Sequence, residues 1–162
     1  MPIDLPAEME TELRKCLHYS LDDANFALYA LVDFKAEDLQ KICAMAKSIF
    51  IQNVLEMPEY EVNDFLFPGL GWDFLLQKNS GQILEYHINH LDKGWGNYEG
   101  ANEGEIQWWP FDLVVVASKN WQSDGLILVH CEYSRRSGQF TVDSCRMDVE
   151  NIGLSLTRPQ YR

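Results

Sequence analysis

The chain has 162 residues, with 25 acidic against 13 basic side chains, a net charge of −12, and 46% hydrophobic and 12% aromatic residues. That apolar content excludes a chain that stays unfolded for want of a core, and a domain of this length buries roughly two-thirds of its extended-chain surface, so it folds without metal or disulfide staples. The charge excludes direct nucleic-acid binding and attraction to anionic membranes, because the electrostatic term that drives both would have the wrong sign.

The N-terminus Met1-Pro2-Ile3-Asp4 has neither a basic region nor a hydrophobic signal core, and the longest apolar run, Leu113 to Ala117, is far too short to span a bilayer. A cytoplasmic, membrane-free protein is therefore expected. In that setting Cys16, Cys43, Cys131 and Cys145 read as reduced thiols. Cys16 and Cys43 fall within apolar helical stripes, so both are expected to be buried.

Met9, Leu13, Cys16 and Leu17 recur at steps of three and four, which predicts a helix over about 7–19. Phe26 to Val32 is apolar on all sides, so period cannot separate a buried helix from a strand; Asp22 as a cap favours the helix. A longer helix over about 35–55 is predicted from the stripe Leu39, Ile42, Cys43, Ala46, Ile49, Phe50 and Val54, with Pro58 closing the helical part. From Trp72 onward the texture changes to short apolar runs between turns. Residues 72–78 and 82–90 flank Asn79-Ser80-Gly81 as a candidate hairpin, 111–118 supplies a strand after Pro110, and 152–156 a short edge strand. The clearest hairpin joins 125–133 to 139–145, with Ile127, Val129, Cys131 and Tyr133 beside Phe140 and Val142 on one face. The predicted fold is α+β in one domain over 1–162: N-terminal helices (about 1–57) packed on a C-terminal antiparallel β-meander of about five strands (about 70–158).

No phosphate-binding loop, nucleophile elbow, His-Glu-x-x-His pair or Cys-x-x-Cys occurs. No catalytic residue, metal ligand or cofactor is therefore assigned, and an enzyme is not expected. His87 and His90 point to opposite faces of a strand, and His130 and Cys131 do the same, which disfavours zinc. A calcium loop starting at Asp92 would need oxygen ligands where Gly94 and Gly96 stand. His130 lies near Asp143 and Thr141 in the predicted hairpin register, an arrangement that orients an imidazole; a hydrogen bond within the sheet is the plainer account.

Charge is regional. Residues 56–114 hold eleven acidic side chains against Lys78 and Lys93. The excess coincides with a glycine-rich segment from Asp92 to Glu105, in and beside which stand Trp95, Tyr98, Trp108 and Trp109. Carboxylates interleaved with aromatics suit a basic protein surface, since opposite charge speeds encounter and aromatic anchors supply affinity. The expected partner-binding residues are Asp92, Trp95, Tyr98, Glu99, Glu103, Glu105 and Trp108. For the adjacent pair Trp108 and Trp109, strand alternation predicts one ring inward and one outward.

Being small, acidic and without catalytic motifs, the chain resembles bacterial immunity proteins in general type. That likeness implies a cytosolic binding protein that neutralises a basic partner such as a toxin. Two alternatives fit the same residues: a small-molecule or carbohydrate binding module using the Trp-rich segment, and an inhibitor whose acidic surface imitates nucleic acid.

Overall fold

The computed structural model describes residues 2–3, 7–17, 25–51, 65–68, 80–89 and 108–157. In chain order these form β1 (Pro2–Ile3), α1 (Ala7–Arg14), β2 (Asn25–Ala30), α2 (Ala36–Phe50), β3 (Leu66–Pro68), α3 (Ser80–Asn89), β4 (Trp108–Val116), α4 (Trp121–Asp124), β5 (Leu126–Ser134), β6 (Gln139–Met147) and α5 (Val149–Thr157). The strands make one six-stranded sheet in the order β1-β6-β5-β4-β2-β3.

The class is α+β, but the sheet is mixed. β2 runs parallel to both β3 and β4, while β4, β5, β6 and β1 pair antiparallel. Helices occur along the whole chain rather than at its N-terminal end. Residues 82–89, expected as a strand, belong to α3: Ile83, Leu84, His87 and Ile88 are all buried at helical spacing. Residues 152–156, expected as an edge strand, belong to α5, whose Val149, Ile152, Gly153 and Leu156 again repeat at three and four. Phe26 to Ala30, expected as a helix, is strand β2. The physical reason is shared by β2 and β4: both lie inside the sheet and are buried along nearly their whole length, so apart from Asn25 and Asp112 they carry mainly apolar side chains and lose the alternation that marks a half-exposed strand.

The connections β2-α2-β3 and β3-α3-β4 each join parallel strands, and they cross the sheet in opposite directions. The general right-handedness of such crossovers predicts α2 and α3 on opposite faces. The Tyr29 hydroxyl meets His87 of α3 at 2.7 Å, so α3 covers the face that carries Tyr29, Val115 and Ile127. Tyr133 shares that face by strand alternation, and α1 joins α3 there through Arg14, whose guanidinium lies 5.7 Å from the Tyr133 ring centre and 5.4 Å from that of Phe140. Helix α5 packs on α2 so closely that a Cβ on Gly153 would stand 2.7 Å from the Phe50 Cβ. The β5–β6 hairpin has the expected register, Cys131 opposite Val142 and Tyr133 opposite Phe140. Helix α4 ends at Gly125, whose φ of 81° and approach to the Met147 carbonyl, 2.8 Å from a built Cβ, both require glycine.

Candidate functional site

Pairing between β4 and β5 stops at Asp112 opposite His130, whereas β5 goes on pairing with β6 as far as Ser134 opposite Gln139. The first residues of β4 therefore part from β5. Pro110 lies in that stretch and offers no amide hydrogen to a ladder, and the β2–β4 register also breaks there, between Asn25 and Ala27. A cavity of about 280 Å³ occupies the split. Trp109 and Phe111 of β4 and Leu17 from the turn after α1 give it apolar walls, and His130, Cys131, Glu132 and Tyr133 of β5 with Arg135 of the following turn complete it. The aromatic lining residues are linked through Phe140 outside the wall: Trp109 meets Phe111 edge-on at 5.3 Å between ring centres, Phe111 stacks on Phe140 at 6.5 Å, and Phe140 meets Tyr133 at 4.9 Å.

A chain of buried hydrogen bonds supports this end of β4. His87 is fully buried, and its Nε2 lies 2.7 Å from the Trp109 carbonyl oxygen. A carbonyl can only accept, so Nε2 carries the hydrogen; in the neutral ring Nδ1 then accepts from the Tyr29 hydroxyl at 2.7 Å. Burial, and next the charge of Tyr86, push the Tyr29 phenol well above its ordinary value, which keeps it a donor. The Trp109 indole N–H in turn donates to Oδ2 of Asp112 at 3.0 Å, and Oδ1 of Asp112 accepts from His130 Nδ1 at 2.6 Å. The Asp112 carboxylate is 3% exposed and thus has a donor on each oxygen, the condition under which a charge is tolerated in a core.

This pairing fixes the His130 tautomer. With Nδ1–H committed to Asp112, the lone pair of the neutral ring sits on Nε2, and that nitrogen is buried with no hydrogen-bond partner. Cys131, the next residue, cannot act as a ready nucleophile: burial, then the charges of Asp112 and Glu10, push its thiol up to about 12.

Among the residues expected at a partner surface, Asp92, Trp95, Tyr98, Glu99, Glu103 and Glu105 lie outside the described residues, as does His90. Trp108 is not a surface anchor. It is 1% exposed, with Phe67 at 6.4 Å and His87 at 6.3 Å between ring centres, and Trp109 is buried as well. The expectation of one inward and one outward indole fails because the irregular start of β4 lies between covered faces. His130 does stand opposite Asp143, yet its ring bonds Asp112 of the neighbouring strand. The signal for that was present in the sequence: an aspartate inside the run Phe111-Asp112-Leu113-Val114 needs a partner if the strand is buried. Cys16 and Cys131 are buried, Cys43 is half-buried rather than buried, and Cys145 is exposed. Among the described residues no cluster of three or more His, Cys, Asp or Glu could hold a metal ion, and no helix is long and apolar enough to cross a membrane. No family model, curated protein or solved structure matches this chain.

Proposed function

We propose that the chain is a small-molecule binding protein whose ligand seats in the split between β4 and β5. The observation that carries this reading is the buried, unpartnered Nε2 of His130, a residue that also lines an aromatic cavity. A buried polar atom without a partner costs roughly 1–3 kcal/mol, and such atoms in native proteins call for an explanation such as a ligand that completes them. Apolar walls with a few convergent polar groups are the usual composition of a ligand site, and about 280 Å³ suits a ligand of one ring. The test is a titration with a panel of monocyclic aromatics and monosaccharides, followed by tryptophan fluorescence and by the ring resonances of His130. Saturable binding that weakens in Tyr133→Ala is the expected result. If no member of the panel binds, or binding ignores both Tyr133→Ala and His130→Gln, the cavity is not the site.

The regional charge supports a second reading, recognition of a basic protein such as a toxin by the acidic stretch, with Asp92, Trp95, Tyr98, Glu99, Glu103 and Glu105 as contacts and Trp108 removed from the set. It predicts a complex whose association rate falls steeply with salt and flattens when Glu99, Glu103 and Glu105 are neutralised.

A further inference from the structure

We infer that the cavity takes a hydroxyl-bearing aromatic ligand, of the phenol class, and that Nε2 of His130 accepts the proton of that hydroxyl. The inference rests on the reading of the cavity as a ligand site and adds the chemistry of the ligand. Three observations select it.

First, the missing partner has a defined polarity. Because Asp112 Oδ1 holds Nδ1–H at 2.6 Å, the unpaired Nε2 of the neutral ring is an acceptor, and only a donor completes it. A ligand carboxylate, ether or ketone supplies none. Second, Trp109, Phe111 and Tyr133 present aromatic surface to the ligand, which favours a flat ring over an aliphatic alcohol or a sugar. Third, the surroundings stabilise the products of proton transfer. In the transfer the O–H bond of the ligand breaks, its electron pair stays on the phenolic oxygen, and an N–H bond forms at Nε2. The resulting imidazolium is held by the Asp112 carboxylate, which the Trp109 indole N–H fixes from its other oxygen at 3.0 Å. Of the two charged groups on the wall, Arg135 favours the phenolate and Glu132 opposes it. This is the orienting role a carboxylate plays toward a general-base imidazole.

Access sets a condition. Nε2 is buried, so the ligand reaches it by displacing a wall side chain, and Leu17, at 43% exposure, is the most exposed apolar member of the wall.

The probe is 4-nitrophenol, whose phenolate is yellow and whose neutral form is not, added to the full chain at a pH below the probe's own pKa. Binding is read independently from tryptophan fluorescence, and 4-nitroanisole, which lacks the hydroxyl, is the control. The expected result is saturable binding accompanied by the phenolate band, binding of 4-nitroanisole at least about tenfold weaker, and loss of the band in His130→Gln even at probe concentrations that saturate its weakened binding by fluorescence. If His130→Gln does not fold, Asp112→Asn, which places the hydrogen on Nε2, must also abolish the band. Binding of 4-nitrophenol without the band, a band that persists in these variants, or equal binding of 4-nitroanisole overturns the proton transfer while leaving the cavity a ligand site. Failure of 4-nitrophenol and of every other panel member to bind overturns both.

Discussion

Replacing Asp112 separates the two jobs its carboxylate performs, holding β4 together and setting the His130 tautomer. Asp112→Ala removes the acceptor for two buried donors, the Trp109 indole N–H at 3.0 Å and the His130 Nδ1–H at 2.6 Å. At roughly 1–3 kcal/mol for each orphaned group, the expected loss is about 4 kcal/mol, a large part of a typical domain's stability. Asp112→Asn should behave differently. The amide oxygen still accepts from the indole, while the amide nitrogen now donates toward His130, so Nδ1 must become the acceptor and the hydrogen moves to Nε2. Both contacts survive as neutral hydrogen bonds, each weaker by about 1 kcal/mol, and relief from burying a charge offsets part of that, leaving a loss of roughly 1 kcal/mol. Urea unfolding measures both losses, and long-range nitrogen–proton correlation of the imidazole reports which nitrogen bears hydrogen. The reasoning is refuted if the asparagine variant is as unstable as the alanine variant, or if Nε2 in it remains unprotonated.

Tyr29→Phe removes the hydroxyl that donates to Nδ1 of buried His87 and should cost about 1–3 kcal/mol in urea unfolding; a change near zero would mean that the 2.7 Å contact contributes nothing. Gly153→Ala gains about 1 kcal/mol of helix propensity, but its Cβ would stand 2.7 Å from Phe50 Cβ and 2.8 Å from Cγ, so overpacking of about 1–3 kcal/mol should win and the variant should be less stable. Because the Cys131 thiol is raised from 9.0 to about 12, stability is fully present below pH 9 and declines as pH rises toward 12, by roughly 4 kcal/mol across that window if this group alone is counted. The decline should be shallower in Cys131→Ala. In native protein at pH 8, a thiol reagent should label Cys145 first and leave Cys16 and Cys131 until denaturant is added.

The parts of the fold that could be read from sequence are those in which one face meets water. The β5–β6 hairpin alternates, so its register could be stated residue by residue, and α2 shows a clean stripe. Of the parts that were misread, β2 carries no such contrast, whereas α3 and α5 carry it at helical spacing. β2 is apolar and buried from Phe26 to Ala30, and α3 begins at Ser80, inside an Asn-Ser-Gly triplet that reads equally well as a hairpin turn. Within α5, Gly153 permits the close approach to Phe50. The parallel neighbours of β2 could not be read at all, since nothing local in residues 25–30 specifies a partner beyond residue 110. At the site, His130 was singled out by its own strand, and its true partner was missed because Asp112 belongs to a different one. The cavity arises where two strands stop pairing, a property of neither strand alone.

The sheet also joins segments that must meet on very different schedules. β4, β5 and β6 follow one another with short connections, whereas Ala27 of β2 has to find Leu113 of β4, and Leu66 of β3 has then to dock outside β2. Loop-closure entropy makes the near pairings early and the distant ones late, so the three-strand antiparallel unit is the natural folding nucleus, and the pairings of β2 with β4 and of β1 with β6 come later. Phe140→Leu should therefore slow refolding with little effect on unfolding, while Leu66→Ala should speed unfolding and leave the refolding limb nearly unchanged. Stopped-flow chevrons with the opposite pattern would place the nucleus at the parallel edge instead.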